Sequence, residues 1–194
     1  MKKIILSAAL ITASVLPTAA QAQAIPAAVI AVVDLERVTG QCNACKTATT
    51  ALRTQVSGLQ AREKALTTPL ETEGKAIQAA INALNGKDPD AALQARVRAF
   101  EQKRQQGAQE VSRQQQQIQR NQQYIQQQIA TKLGPIYQQV MQRRSATVLL
   151  ETGSTLASSA SIDVTNDVLA ALNAALPTIA TTAPAQAQQT PQGR

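Results

Sequence analysis

Two stretches that carry an apolar residue at alternating four- and three-residue steps flank Gly86-Lys87-Asp88-Pro89, and no other feature restricts the fold as severely. The first steps through Leu52, Val56, Leu59, Glu63, Leu66, Leu70, Glu73, Ile77, Ala80 and Leu84, eight of the ten being apolar. The second steps through Leu93, Val97, Phe100, Arg104, Gly107, Val111, Gln114, Ile118, Asn121 and Ile125. Residues repeating in this way line one side of a helix as a coiled-coil seam. Asn85-Gly86 reads as a helix end, and Asp88 with Pro89 as the N-cap and first position of the next helix. The arms then lie antiparallel. An arm from about Cys42 to Leu84 would reach ~65 Å at ~1.5 Å per residue, too long and too thin for a globular core. Such a shape suits holding or spacing.

The chain opens with Lys2 and Lys3, an apolar run from Ile4 to Leu16, Pro17, and small residues around Ala20-Gln21-Ala22. This pattern predicts a signal peptide over residues 1–22, cut after Ala22 or Ala24, and hence export to the periplasm as a soluble protein. No later run approaches the ~20 apolar residues of a membrane helix. Lys and Arg number 19 against 12 Asp and Glu, a formal +7, which loss of Lys2 and Lys3 reduces to +5. The excess concentrates on the returning arm, where Arg96, Arg98, Lys103, Arg104, Arg113 and Arg120 form a candidate client-binding surface for acidic partners. Nucleic acid is not an expected partner: aromatics are 2% of the chain, so bases find no stacking platform.

A small body is expected where the arms converge, built from residues 27–41 and 146–176. Val29, Ile30, Val32 and Val33 belong to a β-branched run, Val148 and Leu149 to a second, and Ser161–Val164 to a third. Thr165 reads as the N-cap of a last helix ending near Leu176. Three short strands and a helix make a small core for one chain, which implies that the strands are an oligomerisation surface. Residues 177–194, rich in Ala, Gln, Thr and Pro, read as a disordered tail. Glutamine clusters also occur at Gln114–Gln117 and Gln126–Gln128, but there they alternate with spaced apolar residues and read as helix. The expected fold is mainly α with a small β body: a coiled-coil hairpin over residues 42–145 on a short-stranded oligomerisation base.

Cys42-Asn43-Ala44-Cys45 is the one constellation suited to covalent chemistry. A thiol exchanger would need a βαβ frame around it, and a metal site would need ligands that a chain without His or further Cys lacks. A local disulfide stapling the base of the arm is the favoured reading, with thiol-disulfide exchange as the enzymatic alternative. Neither a cofactor nor a nucleotide is implied, since no Gly-rich phosphate loop is present. Pro69 and Gly107 each lie about nineteen residues from the turn, so they meet at one height and are a candidate hinge. Gly134-Pro135 reads as the point where the arm enters the body.

In order, the chain has a signal peptide, the strand Ile30-Ala31-Val32-Val33-Asp34, a long charged hairpin, a short β segment and Ile162-Asp163-Val164-Thr165-Asn166-Asp167-Val168-Leu169. This arrangement resembles the Skp/OmpH family of periplasmic chaperones over nearly all of the mature chain except the tail. The resemblance implies a homotrimer whose β body joins the subunits and whose helical tentacles enclose unfolded outer-membrane β-barrel proteins. It implies an ATP-independent holdase with no catalytic residue, and leaves open transient contact with a membrane surface or lipopolysaccharide. The glutamine-rich return arm, the Cys-x-x-Cys and the long tail depart from the better-known members. A coiled-coil spacer of the cell envelope is the alternative.

Overall fold

The computed structural model describes residues 26–184. The expected signal peptide and the tail beyond Pro184 lie outside the described residues. In chain order come β1 (Ile30–Val33), α1 (Leu35–Gln41), α2 (Asn43–Ala83), α3 (Ala91–Arg143), β2 (Val148–Glu151) and α4 (Thr165–Ala175), with short 3-10 turns at Thr152–Ser154 and Ala160–Ile162. The architecture is mainly helical, a long hairpin on a small two-stranded sheet.

The hairpin is α2 packed on α3, of 41 and 53 residues. At 1.5 Å per residue these span roughly 60 and 80 Å. Ile77, Gly107, Asn121 and Ile125 are buried between them, whereas Glu63, Arg104 and Gln114, also on the counted seam, are exposed. Asn85 and Gly86 take left-handed backbone angles, φ 49° and 87°, and end α2. The next helix starts two residues later than expected. Asp90, not Asp88, caps it by accepting a 2.8 Å bond from the Leu93 amide. Pro89 therefore precedes the helix, one residue ahead of the cap.

Pro69 and Pro135 both lie inside unbroken helices, and Gly134-Pro135 marks, as expected, the level at which the arm enters the body, without breaking the helix there. Thus α3 continues past the foot of α2, and its last turns become a wall of the core. Leu133, Ile136 and Val140 pack there with Ala31, Val33, Val38, Cys42, Cys45, Val164, Val168 and Leu172. A proline forfeits one helical hydrogen bond, and apolar contacts on either side of it hold the next turn in register.

The left-handed Ser145, φ 53°, then turns the chain, with the Ala146 amide reaching back to the Met141 carbonyl at 2.9 Å and the Ser145 amide to Gln142 at 3.2 Å. This sends β2 alongside β1 in parallel, Ile30 opposite Val148 and Val33 opposite Glu151. The third expected strand is reduced to a bridge between Asp163 and Val32 after a 3-10 turn. Thr165 is the first residue of α4, not its N-cap. Its hydroxyl, fully buried, instead accepts a 2.9 Å bond from the Asp34 amide, while its own amide donates to the Asp163 carboxylate at 2.7 Å. Hydrogen bonding from the Thr165 side chain first, and from its amide second, holds the Asp163 carboxyl below the usual carboxylate range.

Cys42 ends α1 and precedes α2, and its disulfide to Cys45 closes across this break. Asn173 on α4 accepts from the Asn43 amide at 2.9 Å and so satisfies one of the open donors of α2. The root of the long arm is thus fastened to the body by a covalent link and a cap donated from another helix.

Residues 177–184, the start of the expected disordered tail, run against the lower hairpin as a strap. Ile179 packs on the core cluster, and the strap's backbone is hydrogen-bonded to side chains of α2 and α3. Composition predicted disorder because these residues have little to bury. The partners that order them are amides supplied by the helices.

Candidate functional site

The six basic residues of the candidate surface do not act alike. Arg96 on α3 meets Glu73 on α2 in a two-pronged ion pair, with Nε and Nη2 donating at 2.6 and 3.1 Å. Arg104 pairs with Glu101 three residues earlier on its own helix. Arg120 is half-buried and donates through Nη2 to the Gln117 side-chain oxygen. Arg98, Lys103 and Arg113 are exposed and make no ion pair among the described residues. Four of the six thus lack a carboxylate partner among the described residues, and of these Arg98, Lys103 and Arg113 present their charge to solvent.

Sequence reading missed the anionic partners. Glu110 on α3 receives Arg62 from α2 at 2.6 and 3.0 Å, a second cross-arm clasp. The hydrogen bonds from Arg96 and Arg62 hold the Glu73 and Glu110 carboxyls below the ordinary range, and the same bonds raise both guanidinium values. Glu73 was legible as a polar seam position. That Arg96 lies opposite it follows only from how the two helices register.

Between the clasps, at the level of Pro69 and Gly107, the hairpin is open on both sides. One side carries a groove of about 690 Å³ whose apolar floor includes Leu66, Leu70, Phe100 and Val111, with Glu63, Glu71, Lys75 and Arg104 around it. The other, of about 450 Å³, is lined by Pro69, Leu66, Lys103 and Gly107. Both exist because two helices cannot cover each other's apolar stripes from every side. Gly107 has no side chain to close the gap, and a Cβ there would stand 3.9 Å from Leu66.

In the body, Val32 and Val33 are buried inside the subunit, whereas Val29, Ile30 and Val148 remain exposed at 49, 44 and 36%. Leu149 is half-buried against the core. Leu150 and Leu156 join the exposed set, the latter entirely uncovered. The expected strand surface is thus split: Val32, Val33 and Leu149 serve the subunit's own core, and Val29, Ile30 and Val148 face outward. A two-stranded parallel sheet with such apolar residues outside is incompletely covered by its own chain.

Lower on the hairpin, polar side chains form a connected row. Arg120 fixes the Gln117 side chain, which donates to Asn121 Oδ1 at 2.8 Å, and Asn121 Nδ2 donates to Gln55 Oε1 at 2.7 Å. From this row Gln55 donates to the Thr181 carbonyl at 3.1 Å and Asn121 accepts from the Ala183 amide at 2.8 Å. Gln128 both donates to the Ala180 carbonyl at 2.9 Å and accepts from the Ala180 amide at 3.0 Å. Asn121 is only 3% exposed, and each of its hydrogen-bonding atoms has a partner.

Cys42 and Cys45 are 0 and 4% exposed, so the disulfide is shielded from an external thiol. No group of acidic, His or Cys side chains among the described residues is arranged to hold a metal ion. No helix among them is long and apolar enough to cross a membrane.

The family model for outer membrane protein (OmpH-like) matches residues 29–172, from the start of β1 to the core end of α4. The chain belongs to the OmpH-like family. An OmpH-like solved structure from Caulobacter crescentus, described as a candidate outer membrane chaperone, superposes with a TM-score of 0.67 at 20% identity, covering 84% of this chain and 96% of that one. At that identity the likeness establishes the OmpH-like fold. No curated protein matches the chain. The family match stops short of the strap at residues 177–184, so the row of amides that holds it meets a segment lying outside the matched region.

Proposed function

We propose that this OmpH-like protein is an ATP-independent holdase chaperone of the periplasm, binding unfolded outer-membrane β-barrel proteins between helical tentacles and keeping them from aggregating. The observation that carries the reading is the pair of apolar grooves halfway along an arm two helices thick, with Lys103 lining one of them and Arg98 and Arg113 exposed on the same helix. An unfolded chain offers many short apolar and acidic segments and no fixed shape. Shallow grooves and dispersed cations match it through numerous weak contacts, whose combined strength comes from simultaneous engagement.

A single hairpin has no enclosed space. The outward apolar residues of the body, Val29, Ile30, Val148 and Leu150, support assembly through the sheet, and a homotrimer would bring three hairpins around one cavity. Burial of these residues between subunits would contribute about 25 cal/mol per Å² of apolar surface covered.

Light scattering on the purified protein, alone and after addition of a urea-diluted outer-membrane β-barrel protein, tests both parts. The expected result is a trimer that forms a discrete soluble complex and suppresses turbidity. A monomer or dimer without effect on the client would overturn the reading in favour of a structural coiled coil.

A further inference from the structure

The glutamines of the returning arm do more than favour helix. All five hydrogen bonds linking Gln55, Gln117, Asn121 and Gln128 to Ala180–Ala183 end on main-chain groups of the strap. No strap side chain takes part in them. Gln128 engages both the amide and the carbonyl of Ala180, as a neighbouring β-strand would. The Gln117, Asn121 and Gln55 amides are oriented beforehand by the chain of bonds running from Arg120, and Gln128 by a 3.2 Å bond to the Tyr124 carbonyl of its own helix.

A site that reads only backbone is indifferent to side-chain identity, apart from proline where an N–H must donate. We propose that Gln55, Gln117, Asn121 and Gln128 form a binding site for the main chain of an extended polypeptide, held in cis by the strap and taken over by an extended client segment. The client part rests on the holdase reading; the peptide-binding part does not. The strap is suited to being displaced, since its hold combines a few neutral hydrogen bonds with one apolar anchor, Ile179. An unfolded outer-membrane protein presents the same main-chain groups at every non-proline position.

The test uses the full chain carrying Ala180→Pro and Ala183→Pro, which removes both strap donors and leaves the amide row intact. The probe is a capped peptide with the order of residues 178–184, together with a version N-methylated at the two alanines. The peptide should bind the variant at least about tenfold more tightly than it binds the wild-type chain, and N-methylation should weaken it about tenfold. Adding Gln117→Leu and Gln128→Leu should abolish its binding. Equal binding to both chains, or indifference to N-methylation, would overturn the proposal.

Hydrogen exchange on the unaltered protein supplies a second measurement. The Ala180 and Ala183 amides should be protected in the free protein and lose protection when a β-barrel client is added. A client that forms a soluble complex while both amides stay protected overturns the client part alone. Peptide binding without any client complex overturns the holdase reading and leaves the peptide site standing.

Discussion

Glu73 and Arg96 join the two arms of the hairpin through a pair of parallel hydrogen bonds, 2.6 and 3.1 Å long, with Glu110 and Arg62 repeating the arrangement further down. Both clasps are solvent-exposed, where a single ion pair adds little to stability. Their consequence is geometric, because each restrains the spacing of two long helices around an open groove.

Replacing Glu73 and Glu110 with Gln should broaden the distance distribution between spin labels at Gln60 and Gln109, with little change in thermal stability. The unaltered protein should show the same broadening in acid. Both carboxyls titrate below their ordinary range in the folded state, so the stabilisation they contribute is complete above that range and disappears as pH falls through the lowered values. An unchanged distribution in the double variant would assign arm spacing to the apolar seam alone.

Gly107→Ala should stabilise the arm by about 1 kcal/mol from helix propensity, since the added methyl meets Leu66 at 3.9 Å, an ordinary contact. Pro69→Ala restores a backbone donor within α2. If the level shared by these residues is where the arm bends, the double variant will show a narrower distribution of tip-to-base distances by electron-spin measurement. Equal widths in both proteins would exclude a hinge there.

Reduction of the Cys42–Cys45 disulfide, or Cys42→Ser with Cys45→Ser, should lower stability by about 2 kcal/mol on the chain-entropy estimate for so short a loop. Client holding should persist at temperatures where the variant remains folded. Chemical denaturation with and without reductant measures the first effect. Turnover in an insulin-reduction assay that Cys42→Ser abolishes would instead establish dithiol exchange.

Ile30→Lys with Val148→Lys should change the stability of the subunit by less than about 1 kcal/mol, because both side chains are exposed within one chain. The same pair should dissociate the assembly, read as a fall in mass by light scattering. An unaltered mass would move the subunit contact away from the β1–β2 face.

The seam, the turn, both strand runs, the last helix and the Cys42/Cys45 pair were all legible in the sequence, because each reflects spacing within one short stretch. The cap at Asp90, the unbroken course of α3 at its entry into the body and the true partner of Thr165 were not. The cap was a choice between two neighbouring aspartates, Asp88 and Asp90, that offer the same local signal, whereas packing at the body and a bond from the distant Asp34 amide decided the other two. The six basic residues were found by counting, but their separation into paired and unpaired members was hidden. Glu101 lies three residues from Arg104 on one helix, but that Glu73 faces Arg96 depends on the register between two helices.

By itself, the sequence determined that this chain would form two long helices turning back at Asn85-Gly86, since periodicity and backbone chirality act over a few residues and need no partner. Tertiary structure alone decided that Glu73 meets Arg96, that Asn173 caps α2, and that Gln128 takes hold of Ala180. Those contacts join residues between 23 and 130 positions apart, and their geometry exists only once apolar burial has brought the elements together.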